Sequence, residues 1–256
     1  MDDYELMAPF YDLVNADLTE DLPFWLGLAA KRGGPVLELG CGSGRVLLQL
    51  AREGQRAVGV DCSPAMLARA RARLAQRADL GQRVTLIEQD VRALALEEQF
   101  PLAIMPLNTF AHLLTFEDQL LALVRVAEHL APGGWYALDI PNAAEVFAAP
   151  PGGLVLERTV RDELSAREVM EFSMLSLDRT AQLGHIMWVY DEIDREGRVR
   201  RTRIPMTLRY TFPGEMRALL ELAGLRLVGL YGGYQREPFE DGSPRMLVLA
   251  ERPARG

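Results

Sequence analysis

The sequence predicts an α/β fold: a mostly parallel sheet covered by helices on both faces, with a small antiparallel sheet inserted ahead of the C-terminal part. Three observations lead to it. Through the first 140 residues, apolar runs of strand length alternate with helical patterns, the rhythm of strand–helix–strand units. Beyond about residue 150 consecutive extended segments follow with no helix between them. A helix and two strands then close the chain. The expected division is 1–148 for the first part of the α/β domain, 149–211 for an inserted antiparallel lid, and 212–256 for the return to the α/β domain.

The elements follow in order. Apolar runs place β1 near 35–40, β2 near 56–61, β3 near 83–88, β4 near 102–107 and β5 near 134–140. Ser63-Pro64 opens the clearest helix, because serine caps orphan amides and proline suits the first helical position. The helix from Glu117 to Leu130 is expected to stop at Ala131-Pro132-Gly133-Gly134, a turn into β5. Pro150-Pro151-Gly152-Gly153 then punctuates the chain. "LVLERTVRDE", "EVMEFSMLSL", "GHIMWVYDEI" and "RVRRTRIPMTLRYT" read as extended, with a turn at Arg195-Glu196-Gly197 between the last two. "PGEMRALLELAGL" is an amphipathic helix, and Leu225–Gly232 and Arg245–Glu251 are strands.

Composition bounds the function. The chain has 256 residues and a net charge of −8, so a basic face able to displace counterions from nucleic acid is not expected. The first residues, "MDDYELMAPFYDLV", lack the basic start and apolar core of a secretion signal, and no window reaches membrane-span length, so a cytoplasmic location is expected. The two cysteines, Cys41 and Cys62, fit neither a zinc spacing nor a disulfide framework; they read as small packing residues near each other at adjacent strand ends. No metal site is visible. A small-molecule partner is favoured, with the chain a monomer or homodimer.

The run Val36-Leu37-Glu38-Leu39-Gly40-Cys41-Gly42-Ser43-Gly44 carries the chemistry. A strand, a tight glycine turn and a helix start form a pocket where backbone amides face a ligand. The nicotinamide fingerprint is G-x-G-x-x-G, whereas Gly40, Gly42 and Gly44 are spaced G-x-G-x-G behind Glu38. A carboxylate at a strand end repels pyrophosphate and attracts an ammonium group. At this point the chain resembles the class I S-adenosylmethionine (SAM)-dependent methyltransferases, whose first motif is E/D-x-G-x-G-x-G. The resemblance implies a Rossmann-like seven-stranded sheet with an antiparallel last strand, SAM as cofactor and S-adenosylhomocysteine as product. It also implies that Asp61, ending β2, binds the ribose hydroxyls, that Cys62 and Met66 pack beside the adenine, and that Asp90 and the Val91 amide meet the adenine amine. Gly40, Cys41, Gly42, Gly44 and Leu107 belong to the same expected cofactor set.

Leu107-Asn108-Thr109-Phe110-Ala111-His112-Leu113, after β4, resembles the corresponding segment of glycine and sarcosine N-methyltransferases. That makes Asn108 a candidate active-site and substrate contact. His112 is a candidate general base, with an orienting or packing role beside it. Those enzymes carry an arginine after β5, but here the run is Asp139-Ile140-Pro141-Asn142, and proline cannot pair with a substrate carboxylate. The length, aromatic N-terminus and inserted sheet also resemble bacterial N-methyltransferases of nucleotide-linked amino sugars. In those an N-terminal helix closes over the cofactor, which makes Tyr4 and Tyr11 lid candidates, with Tyr11 also a catalytic one. Arg209, Tyr210 and Tyr234 are candidates for the substrate wall. Arg198, Arg200, Arg201 and Arg203 read as a solvated lid face, and His129 and His185 carry no assigned chemistry.

Methyl transfer from a sulfonium needs alignment above all. Near-attack positioning can lower a barrier by roughly 7–11 kcal/mol, whereas a positioned base adds about 10²–10⁴-fold. The expected function is methyl transfer from SAM to nitrogen or oxygen of a small molecule, an amine being favoured. The alternative is a SAM-binding sensor or partner subunit without catalysis; a nicotinamide-dependent oxidoreductase is disfavoured by the glycine spacing.

Overall fold

A computed structural model describes residues 3–150, 152–162 and 167–254. Met1, Asp2, Pro151 and Glu163, which the sequence readings above include, lie outside the described residues. Among the described residues, seven strands form one sheet in the order β10-β11-β5-β4-β1-β2-β3, and four form a second in the order β6-β7-β8-β9. The first holds β1 (Val36–Leu39), β2 (Ala57–Asp61), β3 (Val84–Glu88), β4 (Phe100–Met105), β5 (Leu130–Pro141), β10 (Arg226–Tyr231) and β11 (Arg245–Glu251). β1 to β5 pair in parallel, and β11 runs antiparallel to both β5 and β10, as expected from the resemblance. No described helix is long and apolar enough to cross a membrane.

Both faces of this sheet are covered, which is why its strands read as continuous apolar runs rather than alternating ones. In β1, Val36 joins a core with Trp25 and Leu28 of α2 (Leu22–Arg32) and Leu47 and Leu50 of α3 (Leu47–Arg52). Leu37 and Leu39 face the opposite core. That core includes Leu123 and Val126 of α5 (Phe116–His129). It also holds Phe10 of α1 (Asp3–Val14). Each fully buried side chain of this size contributes about 1.5–3 kcal/mol. The Ser63 cap is as expected: its hydroxyl accepts from the Met66 amide at the start of α4 (Pro64–Ala75).

Two boundaries differ from the sequence reading. α5 begins one residue earlier than expected, at Phe116, capped by Thr115, which accepts from the Asp118 amide at 3.0 Å. The expected turn at Ala131–Gly134 is instead the opening of β5. There the C-terminal chain supplies the missing backbone partners: Gly133 N–H donates to the Arg252 carbonyl at 2.8 Å, and Arg252 N–H donates to Gly134 at 2.9 Å. Such a long-range pairing leaves no local signal.

The second sheet is built of β6 (Val155–Asp162), β7 (Arg167–Asp178), β8 (Leu183–Ile193) and β9 (Val199–Arg209), all antiparallel. The turn expected at Arg195–Gly197 closes β8 onto β9, Asp194 N–H donating to Arg198. Arg198, Arg200, Arg201 and Arg203 are exposed as expected, with Arg201 on Asp191 and Arg198 on Asp194. The ring of Phe10 stacks on Tyr190 of β8 at 4.3 Å between centroids, joining α1 to this sheet.

One buried carboxylate ties two loops and the start of β11 together at the edge of the main sheet. Asp139, at the end of β5 and inaccessible to solvent, accepts from the Leu107 amide at 2.6 Å and the Tyr234 hydroxyl at 2.8 Å. It also pairs with Arg245, whose Nε lies at 2.9 Å and whose other arm reaches Asn108 Oδ1 at 2.5 Å. The held loop needs holding. Leu107 and Asn108 are consecutive left-handed residues (φ 54° and 63°), a conformation that costs a non-glycine residue roughly 1–2 kcal/mol. Arg245 stands directly opposite Pro141 in the β5–β11 register, which brings its guanidinium to Asp139. Asp139→Ala leaves a largely buried guanidinium without its counter-ion, and we expect it to lose about 3–5 kcal/mol of stability, read as a lower urea midpoint. Asp139→Asn keeps an acceptor for the Leu107 amide and should lose less.

Candidate functional site

The C-terminal ends of β1 to β4 open into a cleft of roughly 440 Å³, a size that suits a small ligand. Its floor is the turn after β1. Gly40 and Cys41 both donate to the Val60 carbonyl, at 2.8 and 3.1 Å, which lays the turn across the end of β2. Gly40 has φ 67°, and a Cβ there would fall 2.2 Å from Thr109 Cγ2, so the approach of the loop after β4 admits no side chain. Gly42, also left-handed, donates its amide to Asp61 Oδ2 at 2.7 Å. The other Asp61 oxygen accepts from Ser63 N–H at 2.8 Å. Two amides thus fix the orientation of this carboxylate at the cleft wall.

Glu38 sits under the turn, 2 % exposed, and its Oε2 has no hydrogen-bond partner. Burial pushes its pKa well above the usual carboxylate range; Arg45 offsets this in part, and Asp21 and Asp61 add to it. Arg45 is engaged by Asp21 through two hydrogen bonds, at 2.7 and 2.6 Å, so only part of its charge is available to Glu38. Burial likewise raises Tyr11 to about 12, moderated by Arg45 and reinforced by Glu38. The Cys41 thiol is raised by burial and then by Glu38 and Asp61, so it is held as a thiol.

The far wall comes from β3 and the loop after β4. Asp90 is bonded by the Arg92 amide at 2.8 Å and by its guanidinium, which holds the carboxyl below its ordinary value. Arg92 continues to Asp118 of α5 at 3.0 Å. Over the cleft lies α1. It is latched to the glycine turn by Asp12, which accepts from the Ser43 hydroxyl at 2.5 Å and from Arg69 at 2.7 Å. From this helix the Tyr4 hydroxyl meets His112 Nε2 at 2.9 Å.

Of the residues expected from sequence, Tyr4, Tyr11, Glu38, Gly40, Cys41, Gly42, Asp61, Cys62, Met66, Asp90, Val91, Leu107 and His112 line this one cleft. Five do not. Gly44 borders a separate cavity behind the turn. Asn108 is taken up by Arg245, within the clamp described above. Tyr234 belongs to the same clamp through Asp139. Arg209 is buried and bonded to Gln119, Gln182 and Glu215, where it joins β9 to α5 and to α7 (Pro213–Leu222), so it forms no substrate wall. Tyr210 is buried edge-on against Phe147, near Gly184. Asn108, Tyr234 and Arg209 read from sequence as available and are in fact bonded within the protein.

The sequence reading missed Arg45, Thr109, Arg92 and Asp118, and Met206 and Thr207 of β9, all of which line the cleft. Arg45 directly follows the glycine turn and was within reach of inference. Met206 and Thr207 were not, since only folding brings the insertion to the mouth of the site. The donor set fits SAM. A buried carboxylate oxygen without a partner can accept an ammonium, and a second, amide-oriented carboxylate suits vicinal hydroxyls.

Comparison with known proteins agrees. A profile described as a methyltransferase domain matches residues 36–134. The chain is 31% identical over 245 residues to the cypemycin N-terminal methyltransferase of a Streptomyces species, covering 94% of each chain. It is 31% identical over 113 residues to a Streptomyces venezuelae dTDP-3-amino-3,4,6-trideoxy-alpha-D-glucopyranose N,N-dimethyltransferase, covering 44% of this chain and 45% of the relative. Among solved structures it superimposes on the CcbJ methyltransferase of Streptomyces caelestis with a TM-score of 0.84 and 26% identity, over the full length of both. The fold, the cleft and a relative similar along nearly the whole chain lead to one assignment: the chain belongs to the class I SAM-dependent methyltransferases.

Proposed function

We propose that the enzyme transfers the methyl group of SAM to the amine nitrogen of a small-molecule acceptor. The observation that carries this reading is the charge of the cleft. Glu38, Asp61, Asp90 and Asp118 line it, while its two arginines are each engaged by carboxylates, Arg45 by Asp21 and Arg92 by Asp90 and Asp118. Neither arginine is left to stabilise an alkoxide or phenolate, whereas an amine attacks through its neutral lone pair and needs no such support. The names of the relatives similar to this chain, an N-terminal methyltransferase and an amino-sugar N,N-dimethyltransferase, support the same choice.

In this reading Glu38 holds the ammonium of the cofactor, Asp61 its ribose, and Asp90, Val91, Cys62 and Met66 surround its adenine. Tyr11 and Leu107 close the middle of the cleft. SAM, when bound, supplies an already activated methyl group on a sulfonium. The chain contributes alignment, exclusion of water by α1, and removal of one proton, because an ammonium must lose its proton before its lone pair can attack. His112 takes that proton at its imidazole, and Tyr4, bonded to Nε2, orients the ring. The insertion 149–211 supplies the acceptor-side wall through Met206 and Thr207.

Incubation with methyl-labelled SAM and a panel of amines and alcohols, followed by mass spectrometry, is expected to yield N-methyl products; label on oxygen alone would refute the reading. His112→Ala should lower kcat about 10²–10⁴-fold with little change in SAM affinity by calorimetry. Glu38 yields a separate expectation. Its folded pKa lies above the unfolded value, so the folded state holds the proton longer, and stability falls as pH rises from the unfolded pKa through the folded one. Glu38→Gln removes that loss. The cofactor-free variant should therefore have a higher Tm than the parent above that window while binding SAM more weakly. SAM binding by the parent, but not by the variant, should release a proton, detectable by calorimetry in buffers of different ionisation enthalpy.

A further inference from the structure

A second cavity, of roughly 700 Å³, lies against the inserted sheet and adjoins the cleft: Met206 and Thr207 line both. Three consecutive cross-strand rows border it, Met174–Met187–Pro205, Leu175–Ile186–Met206 and Ser176–His185–Thr207, and Ala149, Pro150, Gly152, Gly153 and Val155 flank it. Its chemistry is unlike that of the cleft. Among its described lining residues there is no aspartate or glutamate, although the chain carries a net charge of −8. Methionine, leucine, isoleucine and proline side chains dominate. Its one arginine, Arg179, donates to the Phe147 carbonyl at 3.2 Å, and His185 is bonded to Thr207 Oγ1 at 3.1 Å.

We infer that this cavity seats the body of the methyl acceptor, and that the acceptor is an amine carried on an extended, apolar, unphosphorylated body. The inference rests on the N-methyl reading of the adjoining cleft. The amine lies beside His112 in the cleft, and the rest of the molecule crosses Met206 and Thr207 onto apolar surface. A nucleoside diphosphate is disfavoured here. Its two phosphates, taken from water, need several charge-assisted donors in place of their hydration, and the chamber offers a single guanidinium already bonded to a carbonyl. The larger volume sits on the apolar side, so the part of the acceptor far from its nitrogen dominates recognition.

Three amines test this with labelled SAM: alaninamide, alanyl-leucyl-leucinamide, and a thymidine-diphosphate-linked 3-amino sugar. We expect kcat/KM to be at least tenfold higher for the tripeptide amide than for alaninamide, and lowest for the sugar nucleotide. Met174, 43% exposed, can be changed without disturbing the core, and Met174→Glu should cut the tripeptide-to-alaninamide ratio at least tenfold. A parent ratio near one, a ratio unmoved by Met174→Glu, or a preference for the sugar nucleotide overturns the chamber assignment and leaves N-methyl transfer standing. Calorimetric titration of the tripeptide amide into the S-adenosylhomocysteine complex reads the chamber without any chemistry. Saturable binding weakened at least tenfold by Met174→Glu supports it, and no binding to the parent overturns it. If the tripeptide binds and no amine is methylated, the amine reading fails instead, and with it the assignment of the cavity to a methyl acceptor.

Discussion

Burying the Glu38 carboxylate at the end of β1, with one oxygen lacking a partner, constrains everything around it. An ionised group in that position needs compensation, and a fixed guanidinium alone would turn the cleft into an anion site. The chain meets both conditions at once. Arg45 lies close enough to oppose the rise in the Glu38 pKa, yet its hydrogen bonds go to Asp21. Asp21 in turn is anchored by Trp25 Nε1 at 2.9 Å, inside the core of α2. The capacity of the floor to ionise against an arriving cation is thereby built into the packing of the domain.

The methyl-transfer side depends on a different carboxylate. Asp139 holds the left-handed Leu107–Asn108 pair from below, while Arg245 and Tyr234 hold Asp139. This arrangement couples the C-terminal hairpin to the loop after β4, and so to Thr109, whose side chain forbids any residue larger than glycine at position 40. Two motifs far apart in sequence therefore share one steric requirement. The inserted sheet is joined by other means, through the Phe10–Tyr190 stack and the buried Arg209 cluster, which place β9 beside the cleft.

Much of the cofactor half could be read from sequence because its determinants are local. A glycine-rich turn after an apolar run, an acidic residue ending β2 and another following β3 each lie within a few residues of a strand end, and a parallel sheet brings all such ends to one edge. The acceptor half could not. Asn108, Arg209, Tyr210 and Tyr234 have the residue types of a polar binding wall, and whether such a group meets ligand or protein depends on its long-range neighbours. Here those neighbours are Arg245, Gln119, Phe147 and Asp139. The β5 boundary differed for the same reason, since Gly133 and Gly134 pair with the distant Arg252 and Leu130 pairs with Phe100.

The sequence by itself determined the α/β architecture, the antiparallel closing hairpin, the extended insertion and the glycine–carboxylate edge that marks a SAM methyltransferase. Periodicity, capping and turn chemistry act over a few residues, and the chain cannot satisfy them in another way. Tertiary structure alone decided that Glu38 keeps an oxygen without a hydrogen bond, that Arg245 closes on Asp139, and where the insertion opens an apolar chamber. Those outcomes follow from pairings between residues about 100 positions apart, such as Asp139 with Arg245 and Arg209 with Gln119, whose closeness in space no local pattern encodes.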